Sequence, residues 1–181
     1  MSPGGHAATT ALAGGVALLS TSSVPLAAGV VAGGFLIDLD HAVDYVLFNR
    51  QTDLRPSAFL RYYLEGRVER VVLALHSYEL FTLLIALAWW TGAAALWGYV
   101  VGGLMHLVLD MIFNGELLPN NVLAFYSFAY RAAHRFRGAT LHGHVPRAPV
   151  PAGFWRAFFT GAARREPRPA AAGRRSTPPA A

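Results

Sequence analysis

Two apolar runs of about twenty residues each, Val71 to Trp90 and Ala93 to Phe113, follow one another with only Thr91-Gly92 between them, and this pairing fits a bilayer better than a water-soluble core. An earlier apolar stretch begins at Ala7, pauses at Ser20 to Ser23, and resumes at Val24 through Leu36. As a single span it is too long for a hydrocarbon layer of roughly 30 Å, so a turn at the serines predicts a helical hairpin. The first arm is short and calls for a tilted or partly re-entrant helix. No basic residue precedes it and the second arm runs on too far for a cleaved signal peptide, so cleavage is not expected. These segments predict an all-α, multi-span membrane protein with about four transmembrane helices and short interfacial helices.

Composition agrees: 54% of the 181 residues are hydrophobic and the mean hydropathy is +0.37. The fifteen basic residues are all arginine and give a formal charge of +5. They sit in the Asn49 to Arg70 connection and in the C-terminal region, while the turns at Ser20 to Ser23 and Thr91-Gly92 carry no charge. That arrangement is a topology signal rather than a nucleic-acid footprint, and it puts both termini on the cytoplasmic side. The chain divides into a transmembrane core (1–114), a membrane-associated C-terminal region (115–163) and a disordered tail rich in Arg, Pro and Ala (164–181). Aromatic-and-arginine mixtures over Asn120 to Arg137 and Phe154 to Phe159 predict one or two helices lying on the surface.

The bilayer should exclude ionisable groups, yet His6, Asp38, Asp40, His41, Asp44, His76, Glu79, His106 and Asp110 lie in or at the ends of the apolar runs. The predicted topology brings all of them to one depth, near the cytoplasmic ends of four helices. His106 and Asp110 are i,i+4, as are Asp40 and Asp44; Asp38 with His41, His41 with Asp44, and His76 with Glu79 are i,i+3, so each pair shares a face. Asp38 and Asp40 would point in nearly opposite directions on a regular helix, so either one of them supports from behind or the helix loosens after Gly33-Gly34. Taken singly, each has an ordinary explanation: a solvated charge for Asp40 or Asp44, a hydrogen-bonded core histidine for His76, an ion pair for Glu79 or for His106 with Asp110. Taken together, they point to a shared cation or a proton-handling network.

Cysteine is absent, so a metal would be held by imidazole and carboxylate, which suits zinc, with manganese, iron or magnesium as alternatives; the surplus of carboxylates leaves room for two ions. His134, His142 and His144 stay outside the core set, His142-Gly143-His144 being a weak metal-binding pattern. A glycine-rich phosphate loop, a nucleophile elbow and a His-Glu-x-x-His helix are all missing.

Gly5-His6, Gly34-Phe35-Leu36-Ile37-Asp38-Leu39-Asp40-His41, His76-Ser77 and Gly103-Leu104-Met105-His106-Leu107-Val108-Leu109-Asp110 occur in that order on apolar segments. The pattern resembles the membrane-bound metal-dependent hydrolase family, which includes inner-membrane proteins regulated by the SOS repressor, over residues 5 to 114. The resemblance implies a bacterial cytoplasmic-membrane location and metal-associated positions at His6, Asp38, Asp40, His41, His76, His106 and Asp110. Two departures stand out: Ile37 replaces the family's proline, and the histidine-containing lead-in to the His76 segment has no counterpart, a gap that Glu79 is the nearest acidic residue to fill.

The resulting expectation is hydrolysis of an ester or phosphoester, lipid-linked or phosphorylated, at the cytoplasmic membrane face. Asp40 or Glu79 is the candidate base and His41 orients it or completes the metal shell. Arginines of the Asn49 to Arg70 connection are candidates to hold an anionic head group, membrane lipids being the expected partners. A small transporter, or a membrane scaffold with a structural polar cluster, remains the alternative class.

Overall fold

The computed structural model describes residues 1–114, 121–142 and 150–162. Its first helix, α1 (Pro3–Thr21), starts under the Ser2 hydroxyl, which accepts the Gly5 N–H, and has proline in its first turn, where no amide partner is needed. It stops at Ser22, which turns into the left-handed region (φ 53°) and returns its N–H to Leu18. Ser23 then caps α2 (Val24–Phe35), so the serine cluster both ends one helix and begins the next.

Beyond Phe35 the chain stays helical but changes winding. A 3₁₀ turn (Leu36–Asp38) leads into α3 (Leu39–Val43) and then a π-helical turn (Asp44–Phe48), making one 25-residue rod from Val24 to Phe48. After an extended connection, Pro56 opens α4 (Pro56–Leu64). Residues 65–77 are not helical, and α5 (Tyr78–Thr91) begins only at its Ser77 cap; Gly92 (φ 64°) closes it and α6 (Ala94–Asn114) returns. Four short helices complete the described chain: α7 (Val122–Phe125), α8 (Phe128–Ala133), α9 (Gly138–Leu141) and α10 (Phe154–Thr160).

The fold is thus an all-α bundle. Among the described residues, two helices are long and apolar enough to cross a membrane, Val24–Phe48 and Ala94–Phe113. Only 33% and 39% of their apolar windows are buried inside the protein, so most of their surface faces outward, unlike the core helix of a soluble domain. Helix α5, at 14 residues, reaches only about 21 Å, well under the roughly 30 Å of a hydrocarbon core. The span expected to start at Val71 therefore starts as helix seven residues late. Val71, Val72 and Leu73 are apolar because they are buried, at 2%, 9% and 4% exposure, not because they are helical.

Helices α2 and α6 approach so closely that side chains cannot be accommodated between them. A Cβ at Gly33 would overlap the Tyr99 carbonyl, and one at Gly102 the Val30 carbonyl; Gly29 and Gly98 lie on the same seam. Gly103 faces the Phe81 ring of α5 instead. Around the end of this seam remote from the hairpin turns, Ile37, Leu107, Phe81, Val71, Leu73, Phe125 and Tyr126 form the apolar core.

The largely buried, non-helical Val71–Ser77 segment needs partners for its backbone, and two charged side chains supply several of them. Asp44 accepts the N–H groups of Val72 (2.6 Å) and Leu73 (3.2 Å). Arg131, fully buried on α8, donates to the carbonyls of Val72, Leu73, His76 and Phe125 at 2.6–3.0 Å. Asp44, at 1% exposure, is buried as its place at the end of an apolar run suggests and not solvated as it would be on its own, whereas Arg131 is inside the core rather than on a surface helix. The tail expected to be disordered, 164–181, lies outside the described residues.

Candidate metal centre

The centre forms where the rod, the irregular segment and α6 meet. On α6, His106 and Asp110 are one turn apart on the same face, and the glycine seam lets that face reach the end of α2, where His106 Nδ1 donates to the Gly34 carbonyl at 2.9 Å. A carbonyl only accepts, so Nδ1 carries a proton, and in the neutral ring the Nε2 lone pair points into the cluster. His76 is fixed similarly: its Nδ1 lies 3.0 Å from both oxygens of Asp40, whose Oδ2 also accepts the N–H groups of Leu75 (2.8 Å) and His76 (3.2 Å). Its Nε2 therefore also faces inward as an acceptor. Such carboxylate or carbonyl support behind an imidazole is the usual arrangement behind metal-ligating histidines.

Four acceptor atoms then converge. His106 Nε2 lies 3.4 Å from each of His76 Nε2, Asp38 Oδ1 and Asp110 Oδ2, and His76 Nε2 lies 3.6 Å from Asp38 Oδ1 and 3.8 Å from Asp110 Oδ2. A tetrahedral ion with bonds of about 2.0–2.2 Å sets its donor atoms roughly 3.3–3.6 Å apart. Four of these five separations fall in that range and the fifth, His76 Nε2 to Asp110 Oδ2, lies just beyond it; with neutral imidazoles the inward atoms are electron-pair donors, so the residues present suit a divalent cation. His41 Nε2 stands 3.6 Å from Asp38 Oδ1 at the side of this set, as a fifth donor.

His6 supports Asp110 from behind, its Nε2 2.9 Å from Oδ1 and its ring stacked on His106 with centroids 4.0 Å apart. The Met1 amino group lies 3.4 Å from the same oxygen. His6 Nδ1 and His41 Nδ1 are buried with no hydrogen-bond partner. The side chains of Asp38 and His41 are 36% and 26% exposed, against 9% or less for His6, Asp40, His76, His106 and Asp110, so the centre is approached from the Asp38–His41 side. There Tyr63 of α4 donates its hydroxyl to the His41 carbonyl at 2.6 Å and sets its ring edge-on to the imidazole.

The structure thus gathers His6, Asp38, Asp40, His41, His76, His106 and Asp110 into three overlapping groups with metal-ligand spacing: His6, His106 and Asp110; Asp38, His76 and His106; Asp40, His41 and His76. It separates Asp38, which faces the convergence point, from Asp40, which holds His76 from behind. Both readings of that pair contribute, because the winding changes to 3₁₀ at Leu36–Asp38 and Asp40 takes the supporting position. Glu79 is elsewhere. Its carboxylate accepts from Ser127 Oγ (2.7 Å) and from the N–H groups of Phe128 and Ala129, capping α8, so it is neither a base at this centre nor a substitute ligand. Asp44 belongs to the Val71–Ser77 segment. His134 is tied to the Tyr130 carbonyl, His142 stands against the Phe125 ring, and His144 lies outside the described residues.

Sequence reasoning missed the contributions of Gly34, Tyr63 and Arg131. Only Tyr63 carried a local signal, as an aromatic in a polar connection. Compared with protein-family models, curated proteins and solved structures, the chain matches none of them.

Proposed function

We propose that this chain is an integral membrane protein whose four-helix bundle holds a divalent metal near the cytoplasmic face and hydrolyses an ester or phosphoester there. The observation that carries this reading is that Asp38 Oδ1, His76 Nε2 and Asp110 Oδ2 each lie 3.4 Å from His106 Nε2, with the Nδ1 atoms of both imidazoles tied to partners on the far side. With both imidazoles neutral, these atoms are lone-pair donors that a cation between them would hold together. Nitrogen and oxygen donors without sulfur favour zinc, with manganese, iron and magnesium as the ions to test beside it. Such an ion supplies a bound water of lowered pKa and polarises a scissile carbonyl or phosphoryl oxygen.

The chain's own residues account for the rest. Asp40 and the Gly34 carbonyl keep the His76 and His106 rings in one tautomer, and His6 fixes Asp110. Asp38 and His41, at the open side, are the groups a substrate meets first. The arginine distribution supports a cytoplasmic position for this end, and the outward apolar surface of the bundle supports a lipid-linked substrate. The similarity of the Asp38–His41 and His106–Asp110 segments to the membrane-bound metal-dependent hydrolases supports the same assignment.

A second reading has one observation in its favour: four protein donors fill a tetrahedral shell, as in structural metal sites. Metal analysis of the purified protein, followed by hydrolysis of bis-p-nitrophenyl phosphate and p-nitrophenyl esters with and without chelator, tests both. The hydrolase reading expects about one bound ion per chain, as for a single centre, and turnover that is lost on chelation and restored by metal. Bound metal with no turnover, together with unfolding on chelation, selects the structural reading. Absence of metal, with a fold that survives His106→Ala and Asp110→Ala, defeats both.

A further inference from the structure

Helices α4 and α10 enclose a second feature, separate from the metal centre. Between them lies a cleft of about 350 Å³ lined by Arg55, Arg61 and Arg67 together with Ser57, Gly153 and Phe154. Buried Leu60 and Ala157 also line it, so arginine and apolar side chains share its wall. Among the described residues no acidic residue lines it. Two carboxylates lie beside it and orient rather than fill it. Asp53 holds the Nε and one terminal nitrogen of Arg55 (2.9 and 2.6 Å), and Glu65 holds the Nε of Arg67 (3.2 Å), whose guanidinium also sits 5.4 Å over the Tyr62 ring. A guanidinium has five N–H donors, so each of these two keeps further donors for a ligand, and Arg61 stands exposed between them.

The depth of the cleft is set by its neighbours. Helix α10 is tied to the start of α1 through Ser2 Oγ donating to the Phe159 carbonyl at 2.8 Å, and Gly4 packs against the Phe159 ring. Helix α4 is tied to the metal centre through Tyr63 and the His41 carbonyl. The cleft therefore lies at the same end of the bundle as the metal centre. Trp155 and Phe159 project from α10 at 68% and 60% exposure, the amphipathic arrangement of a helix at a membrane surface.

We propose that this cleft binds a phosphate group, that of an anionic lipid head group lying at the bilayer surface. Three arginines lining one cleft without a carboxylate among the described lining residues match a phosphate in charge and hydrogen-bonding chemistry, and the apolar lining suits the glycerol end of a lipid. The proposal rests on the membrane reading for the source of the phosphate, but not on the metal reading.

The test is native mass spectrometry of the full chain in neutral detergent with dioleoyl phosphatidylglycerol or dioleoyl phosphatidylcholine, alongside calorimetry with inorganic phosphate. The variants are Arg61→Gln with Arg67→Gln, and a control, Arg70→Gln with Arg137→Gln, which removes the same charge from exposed positions outside the cleft. The expected result is at least tenfold preferential retention of phosphatidylglycerol, lost in the cleft variant and kept in the control, with bound metal unchanged in both. Binding of inorganic phosphate with the same variant dependence, without lipid preference, keeps the phosphate site and makes its source a free phosphate. Equal retention of the two lipids without phosphate binding, or equal loss in cleft and control variants, overturns the proposal. A change in metal content with lipid selectivity intact would count against the metal reading alone.

Discussion

Two regions deliver the inward-facing nitrogens of the metal centre, and they are built on opposite principles. His106 arrives on α6, a regular helix whose seam with α2 is made close by glycines, so that backbone packs on backbone and the interior amides are satisfied within the helix. His76 arrives on a stretch with no regular structure, whose backbone groups depend largely on side chains from elsewhere, Asp44 and Asp40 accepting its amides and Arg131 donating to its carbonyls. The first region tolerates changes of side-chain chemistry but not of volume. The second tolerates little change of charge, because removing one partner leaves several buried backbone groups unpaired at once.

The comparison is broken most severely at Arg131. Arg131→Met, which keeps the length and removes four donated hydrogen bonds, is expected to destabilise the protein by about 3–5 kcal/mol and to release bound metal, read by denaturation in detergent with metal analysis. Gly102→Ala attacks the regular side. The added Cβ meets the Val30 carbonyl, and forcing α2 and α6 apart should cost about 1–3 kcal/mol, visible as a lower unfolding midpoint. A larger loss from Gly102→Ala than from Arg131→Met would reverse the ranking of the two regions.

Asp40→Asn sharpens the contrast without dismantling either region. The amide preserves shape but weakens the hold on His76 Nδ1, so metal affinity should fall by roughly 10–100-fold in a competition titration while the helical signal stays the same. Unchanged affinity would mean that His76 does not depend on Asp40 for its orientation. The smallest effect is expected at Glu79. Glu79→Gln loses a charged cap of the six-residue α8, costing about 1 kcal/mol, and should leave metal content untouched. A metal loss there would return Glu79 to the centre.

What the sequence disclosed follows the same division. The serine turn, the long apolar rods, the shared face of His106 with Asp110 and the small residues of α6 follow from periodicity, which is local information. For Asp38 against Asp40 the sequence offered a supporting role for one of them or a loosening after Gly33-Gly34, but not which of the two faces the centre, since that depends on the change of winding at Leu36–Asp38. The Val71–Leu75 run reads as a membrane helix because burial and helicity select the same apolar residues; what separates them is a guanidinium that reaches Val72 from 59 positions along the chain. Nothing local distinguishes Arg131 from Arg135 or Arg137, both of which are exposed.

The winding change beyond α2 also bears on how the protein is made. Asp38 and Asp40 leave the ribosome with the second helix, well before His76 and long before His106, the groups that will neutralise or complement them. During that interval the nascent hairpin carries two acids at its trailing end without the histidines that later meet them. Completion of the cluster therefore waits for α6, and a chain stalled before α6 emerges would leave Asp38 without His106.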